Sequence, residues 1–360
     1  MHAFVKSAAL AAGMATLGLA GAAGAQTKLI FSTYLPDSYA VAACDGVFMD
    51  EVIKRTGGKI TFERYYASTL LNAVDTVPGV GRGAADFGMG FPGGYNRAQY
   101  PISNILMPWI TDNSVAATKA ANALYHENKD FQAEYEKQNV KFLYGVVTEA
   151  HTFYSREPIR TAADFKGKRV RSLLAIGDAV AKLGGTPVAM AFPDGIEAMN
   201  RGAIDAMGNL PFDLGVTAGL HKVSKYVTDA GRMGTFALSA SVFNLKKWNA
   251  LPADVQKIML DAAKDAPDCY FKIAKRDVEK AVDTLIESKT VELIPFAPEE
   301  AKKLRDTVGR ELWKEWVTLV NKAGYDGQKL LDRYLELVAK YEKEFPLETG
   351  FDIYKRKSGK

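Results

Sequence analysis

Apolar residues recur along this chain with two periods, and short glycine stops mark where one period gives way to the other. Residues 28–35 (KLIFSTYL) are β-branched and aromatic, and Pro36-Asp37 ends them, which predicts a strand and then a loop. From Asp37 or Ser38 to about Arg55 the apolar positions Val41, Ala42, Val47, Phe48, Val52 and Ile53 follow a helical period. Gly57-Gly58 stops that helix, because glycine adopts left-handed backbone after a helix end at little cost. Residues 59–66 then alternate as a strand, and residues 70–80 read as a helix that Pro78 weakens near its end. Arg82-Gly83-Ala84-Ala85-Asp86 leads into a short strand at 87–91.

The same punctuation returns further on. Residues 168–174 predict a strand, 176–183 a helix stopped by Gly184-Gly185, and 188–192 a second strand. Pro193 stands where helices begin, and Arg201-Gly202-Ala203-Ile204-Asp205 closes that helix before a strand at 206–209. Two passes of strand, helix, Gly-Gly, strand, helix, Arg-Gly-Ala-x-Asp, strand predict two similar α/β lobes. Between them, residues 114–138 read as one helix and 140–147 as a strand, with 151–155 running on towards the second lobe. Extended segments that cross between lobes make hinges, and ligands settle in the crevice they enclose. After Pro211, residues 226–228 and 235–245 are strand-like. Residues 248–288 are strongly helical apart from Pro252, with Pro267 expected to kink or divide them; 299–323 and 328–345 are further helices. The basic residues 355–360 read as a solvated tail.

The first 25 residues change the picture of where the protein works. A short segment with one lysine precedes an Ala-, Leu- and Gly-rich run over 7–22, and Ala23-Gly24-Ala25 supplies a small-x-small cleavage pattern. Export with cleavage after Ala25 is expected, leaving Gln26 as the first mature residue of a periplasmic protein. No cysteine follows the run, so a lipid anchor is not indicated, and no later stretch holds ~18 uninterrupted apolar residues. Removing one of 46 basic residues and none of 42 acidic ones leaves 45 − 42 = +3, too small and scattered a charge to argue for nucleic acid. The 48% hydrophobic and 24% charged composition places the chain among globular proteins. Cys44 and Cys269 either pair in the oxidising compartment, clipping an early helix to a late one, or stay as separate buried thiols; the sequence leaves both open.

The chemical inventory is thin. His2, His126, His151 and His221 show no metal spacing, and two distant cysteines make no zinc motif. No Gly-x-Ser-x-Gly elbow occurs, and the glycine run 79–83 sits between a helix and a strand, the wrong order for a dinucleotide loop. No cofactor is expected. The positive signal is Arg171, an arginine inside an otherwise apolar strand pattern. A buried guanidinium needs an anion, and it meets a carboxylate in a planar two-bond fork. That anion is either an internal Asp or Glu or a ligand.

Several motifs then resemble one family. These are Thr56-Gly57-Gly58-Lys59, Gly83-Ala84-Ala85-Asp86, Tyr100-Pro101 with Met107-Pro108-Trp109, Asp164-Phe165-Lys166-Gly167-Lys168-Arg169-Val170-Arg171, Met190-Ala191-Phe192-Pro193, Gly202-Ala203-Ile204-Asp205, and Leu251-Pro252-Ala253-Asp254-Val255-Gln256. Together they cover nearly all of the mature chain. It is similar to the solute-binding proteins of tripartite ATP-independent periplasmic (TRAP) transporters, of the C4-dicarboxylate-binding (DctP-like) type. The resemblance implies a two-lobed α/β periplasmic binding protein, type II-like, with a long helix laid across both lobes. Its parts would be a signal peptide at 1–25, lobe 1 at 26–150, lobe 2 with a return crossing at 151–245, and the long helix and C-terminal helices at 246–360. The implied function is capture of a small organic carboxylate between the lobes, hinge closure, and delivery to integral-membrane TRAP transporter subunits, without catalysis.

By the same resemblance Arg171 makes the carboxylate salt bridge, Asn209 adds a hydrogen bond and Phe192 packs on the ligand. Arg156 lies about one residue off a second basic site used by some members. The chain departs from the commoner Gln-Glu-Asn-Pro pattern at Met207-Gly208-Asn209-Leu210-Pro211, which leaves the class of acid open. Tyr34, Phe91 and Tyr95 are site candidates by position, because ligands of such sheets bind at the carboxyl ends of strands. His151, near the crossover, is a further polar candidate. So many aromatics suggest a less polar acid than a dicarboxylate: a hydroxy, keto or aromatic monocarboxylate. Two rival functions remain. One is a ligand sensor docking on a signalling receptor, which gene neighbourhood separates from a transport receptor. The other is an enzyme on the same scaffold, for which His151 with Glu149 is the nearest acid–base pair.

Overall fold

The computed structural model describes residues 26–190, 192–235 and 238–359, and the expected leader therefore lies outside the described residues. Its first half runs β1 (Thr27–Thr33), α1 (Ala40–Arg55), β2 (Ile60–Tyr65), α2 (Thr76–Arg82), β3 (Phe87–Gly90), α3 (Pro92–Tyr95), α4 (Ser114–Glu127), α5 (Lys129–Glu136) and β4 (Val140–Val147). Next come β5 (His151–Ser155), β6 (Arg169–Arg171), α6 (Leu174–Lys182), β7 (Thr186–Val188), α7 (Phe192–Asn200), β8 (Ala206–Pro211), α8 (Phe212–Thr217) and β9 (Tyr226–Thr228). The chain closes with β10 (Leu238–Asn244), α9 (Leu245–Ala250), α10 (Ala253–Ser288), β11 (Glu292–Ile294), α11 (Pro298–Leu304), α12 (Arg310–Lys322), α13 (Gly327–Glu344) and α14 (Gly350–Ser358).

Two sheets result, ordered β2-β1-β3-β10-β4 and β11-β9-β5-β8-β6-β7. The strands of each repeat form the parallel triplets β2-β1-β3 and β7-β6-β8. An antiparallel strand follows each triplet: β10 beside β3, and β5 beside β8. The chain enters the second sheet from β4 to β5 and returns to the first from β9 to β10. The repeated aspartates do the same job in each copy. The Asp86 carboxylate accepts from the Ile30 backbone N–H at 2.9 Å, and the Asp205 carboxylate from the Arg169 N–H at 2.8 Å. In each copy the aspartate's own N–H donates back to the same residue, so both motifs pin the opening of a third strand to the first.

Helices cover both faces of both sheets, which is why the central strands β3, β10, β5 and β8 are almost wholly buried, their polar residues included. The first sheet packs α1 and the front of α10 on one face, and α2, α4, α5 and α13 on the other. The second packs α7, α8, α14 and the end of α10 on one face, with α6, Phe296, Leu304 and Leu312 on the other. The 36-residue α10 carries one apolar stripe, from Val255, Met259 and Ala263 against the first sheet to Val278, Val282 and Leu285 against the second. At ~1.5 Å per residue it reaches ~54 Å, enough to lie along both.

Several expectations need correction. Pro267 neither divides nor ends α10: the apolar stripe continues on both sides of it, and tertiary packing outweighs the lost backbone bond. The helix expected over 114–138 is two, because Asn128 leaves helical geometry and its side chain caps α5 by accepting from the Phe131 N–H. The strand expected at 188–192 ends at Val188, and Phe192 opens α7. The basic end is exposed, as expected, but residues 355–358 are helical and anchored instead of forming a loose tail. A reciprocal Thr349–Asp352 cap starts α14, Ile353 buries, and Lys357 pairs with Asp283 of α10 at 2.7 Å. Strand β10, within the stretch assigned to the second lobe, completes the first sheet, whereas β11, from the C-terminal stretch, edges the second.

Cys44 and Cys269 form a disulfide, with Cα atoms 5.7 Å apart, tying α1 to the middle of α10. The residues it joins are 225 positions apart, so it removes much unfolded-state freedom. The double variant Cys44→Ala/Cys269→Ala should lose about 2–4 kcal/mol of stability. Urea unfolding of the two proteins measures this; an unchanged midpoint would show that the crosslink adds nothing.

Candidate ligand-binding cleft

The carboxyl ends of the parallel strands in the two sheets face one another. Phe91, Gly94, Tyr95 and Arg97 follow β3 on one side. Ser172, Leu173, Leu174, Gly177 and Asp178, which follow β6, and Pro187 and Ala189, in and after β7, stand on the other. They enclose a cavity of about 400 Å³, within the range of small-molecule sites. Larger cavities, of about 1160 and 890 Å³, lie against α14 and against α13, both beside α10. The cleft between the strand ends is nonetheless the better candidate: Arg97, which lines it, has a buried Nε without a hydrogen-bond partner among the described residues, and two further buried polar residues adjoin its lining, Arg171 near Tyr95 and Asn209 at the Leu173 N–H.

Arg171 is the last residue of β6 and only 5% exposed. Its Nε donates to the Met190 carbonyl at 3.2 Å and its Nη1 to the Gly208 carbonyl at 3.3 Å. No carboxylate among the described residues forms an ion pair with it. Two carbonyls satisfy two of about five guanidinium donors and neutralise none of its charge. Burial accordingly favours loss of the Arg171 proton, partly opposed by the Tyr95 phenol nearby. The site depends on two close approaches. A Cβ on Gly195 of α7 would lie 2.9 Å from Met207 Cε and 3.4 Å from Arg171 Cγ. A Cβ on Gly208 would lie 2.4 Å from the Phe153 ring. The Met207-Gly208 departure thus has a packing cause: Phe153 occupies the space of any larger residue at 208.

Asn209 sits on β8 beyond Met207, the register partner of Arg171. Its Oδ1 accepts from the Leu173 N–H at 2.7 Å, which fixes the amide orientation. Its Nδ2 is buried with no hydrogen-bond partner among the described residues. Asn209 and Leu174 both take left-handed backbone, with φ of 62° and 55°. Leucine rarely does so, and such strain concentrates where a structure positions groups for function.

The remaining candidates divide. Tyr95 and Phe91 line the cavity with ring centroids 5.9 Å apart, and Tyr34 backs Tyr95 edge-on at 5.8 Å without lining it. Phe192 packs with the apolar cluster of Met207 and Leu210 and is not among the lining residues. His151 starts β5, 4% exposed and 3.2 Å from Thr148 Oγ1. Burial first, and the Arg171 charge second, lower its pKa to about 3, so it is neutral at ordinary pH. Arg156 does not join them. It is exposed beyond the far end of β5, and its Nη2 donates to the Asn200 carbonyl beside the Arg169–Asp205 pair. Because β5 runs antiparallel to β8, a basic residue after its end falls at the amino edge of the parallel strands. Nor do Glu149 and His151 form a strand-face pair. Glu149 lies in the crossing loop and accepts from Ser114 Oγ at 2.7 Å; burial raises its pKa to about 7. Arg97 and Asp178, an ion pair at 3.3 Å spanning the cleft, escaped the sequence reading. The strand-end argument that marked Tyr95 would have reached Arg97 two residues on.

With this geometry in place, comparison with known proteins is informative. The profile of bacterial extracellular solute-binding protein family 7 (DctP) matches residues 31–318. The 2,3-diketo-L-gulonate-binding periplasmic protein of Escherichia coli is 26% identical over 306 residues, 84% of this chain and 90% of the relative. A TRAP periplasmic solute binding protein from Desulfovibrio salexigens shares the fold with a TM-score of 0.78 at 25% identity, covering 90% of this chain and 98% of that one. A Bordetella pertussis extracytoplasmic solute receptor, solved binding pyroglutamic acid, gives 0.73 at 26% identity over 86% and 99% of the two chains.

The His151 environment carries a pH signature. A histidine whose folded pKa lies below its unfolded value binds fewer protons when folded, so stability is lost as pH falls from 6.5 towards about 3. His151→Gln removes that proton uptake. Between pH 6 and 4 the wild type should lose stability relative to this variant by up to ~1.4 kcal/mol per pH unit. Urea unfolding at stepped pH reads the difference, and a flat difference would contradict the buried neutral imidazole.

Proposed function

The chain belongs to bacterial extracellular solute-binding protein family 7, and on that footing we propose that it captures a small organic carboxylate between its lobes and hands it to the membrane subunits of a TRAP-type secondary transporter. The observation that carries the ligand assignment is Arg171: a buried cation held by two carbonyls, with no acidic partner among the described residues. Leaving such a charge unpaired costs several kcal/mol, and a carboxylate entering the cleft removes that cost. The Asn209 Nδ2, also buried without a hydrogen-bond partner among the described residues, would donate to the same ligand, its amide oriented by the Leu173 N–H. Closure excludes water, and the lower dielectric strengthens the ion pair.

In this reading the two sheets with their helices are the lobes, and the β4–β5 and β9–β10 connections are the hinge. Helix α10 underlies both. Tyr95 and Phe91 supply ring faces for the ligand body, with Tyr34 supporting Tyr95; Phe192 shapes the second-lobe wall from behind. No turnover is assigned, since a His151 pKa lowered to about 3 makes its imidazole a weak base and Glu149 is engaged by Ser114. The protein would be exported with its leader removed after Ala25. Strand β1 begins at Thr27, so cleavage there leaves the fold intact.

Arg171→Ala should weaken carboxylate binding at least ~30-fold, since truncating one partner of a buried charge pair costs ~2–5 kcal/mol or more. Calorimetry with the acid that copurifies in native mass spectrometry tests this, and micromolar binding by the variant would refute the anchor role. The intact mass of the protein recovered from the periplasm should correspond to a chain starting at Gln26; retention of residues 1–25 would refute the export reading.

A further inference from the structure

The cleft holds a second arginine, and its charge is already spent. Arg97 follows α3, lines the cavity from the first-sheet side, and reaches across to Asp178 on α6, with Nη1 3.3 Å from Oδ2. The two side chains are 39% and 47% exposed, so the bridge adds little to stability. Its consequence lies in the charge balance. Among the described residues, Arg97 and Asp178 are the only charged ones lining the cavity, and they cancel. The nearest uncancelled charge is that of Arg171, buried at the end of β6 behind the lining, close to Tyr95. The Nε of Arg97 is moreover buried with no hydrogen-bond partner among the described residues.

We infer that Asp178 makes this cleft singly cationic and thereby selects monocarboxylates bearing a neutral second oxygen over dicarboxylates. This rests on the carboxylate-receptor reading and narrows it. The first carboxylate takes Arg171 and the Asn209 amide. A second carboxylate would meet a guanidinium already paired, with the Asp178 carboxylate beside it, and like charges in a partly desolvated cleft repel strongly. The walls between the two arginines, formed by Phe91, Tyr95, Leu173, Leu174, Pro187 and Ala189, are largely apolar and suit a hydrocarbon or ring. A hydroxyl or keto oxygen carries no net charge, so Asp178 does not repel it, and it can accept from the Arg97 Nε–H. Discrimination thus comes from a repulsive group as much as from the attractive one.

The test measures thermal shift and calorimetric affinity of the mature protein against matched acids: butyrate, 2-hydroxybutyrate, benzoate and 3-hydroxybenzoate beside succinate, malate and phthalate. The tightest wild-type ligand should be a monocarboxylate, with the hydroxylated member of each pair binding more tightly. Asp178→Asn frees the Arg97 charge and should raise dicarboxylate affinity relative to monocarboxylate affinity by about 10-fold. Arg97→Gln leaves Asp178 unpaired and should shift that ratio the opposite way. Both positions are partly exposed, so unliganded melting points close to wild type's would certify the fold. A dicarboxylate as the tightest wild-type ligand, or a ratio within about twofold of wild type in Asp178→Asn, overturns the inference while leaving the carboxylate receptor standing. If none of the acids binds, both readings fall together.

Discussion

A guanidinium buried without an internal counter-charge is the constraint around which this molecule is arranged. Holding Arg171 at the end of β6 requires carbonyls on two sides, from Met190 and from Gly208. It requires α7 to pass closely over the side-chain stem, which Gly195 permits, and β8 to admit the Phe153 ring, which Gly208 permits. It also requires backbone strain at Leu174 and Asn209, linked by one hydrogen bond. None of these features stabilises the empty protein in an obvious way. In the proposed reading an anion completing the site makes them favourable, as expected where folding stability is traded for binding.

The lobe plan was readable because its signals are local. Glycine pairs stop helices for backbone reasons that need no tertiary context, and the two Arg-Gly-Ala-x-Asp segments repeat a clamp whose two halves lie on adjacent strands. Arg171 stood out because a charge in an apolar strand has few explanations. The failures were matters of long-range context. The unbroken α10 depends on two sheets packing against one stripe, and the folded C-terminus on Asp283 and Phe212 waiting for it; the disulfide, left open by the sequence, likewise depends on the approach of residues 225 apart. Arg156 was misplaced because strand direction decides which edge a residue reaches, and the antiparallel sense of β5 is a property of the assembled sheet.

Electrostatic and apolar features of the cleft divide the work. Burial keeps His151 neutral next to Arg171, so it adds no second charge, and Asp178 cancels Arg97. The Tyr34–Tyr95–Phe91 edge-on chain fixes ring positions on the first-sheet side, while the backbone around Leu173 and Leu174 is fixed on the other. In the proposed reading, affinity for the charged end of a ligand and shape selection for its body therefore fall to different elements.

The position of β10 has a consequence for how the protein is made. This strand lies between β3 and β4, yet it follows both by about ninety residues or more, after the whole β5–β9 segment. A chain emerging amino end first cannot finish its first sheet until most of the second has been delivered. Until then β3 and β4 present unsatisfied edges at the centre of an incomplete layer, the kind of surface that recruits other chains. The halves are thus not separable modules. Each sheet borrows a strand across the crossing, so assembly is a joint event with long-range contacts, slow to close and exposed to mispairing on the way.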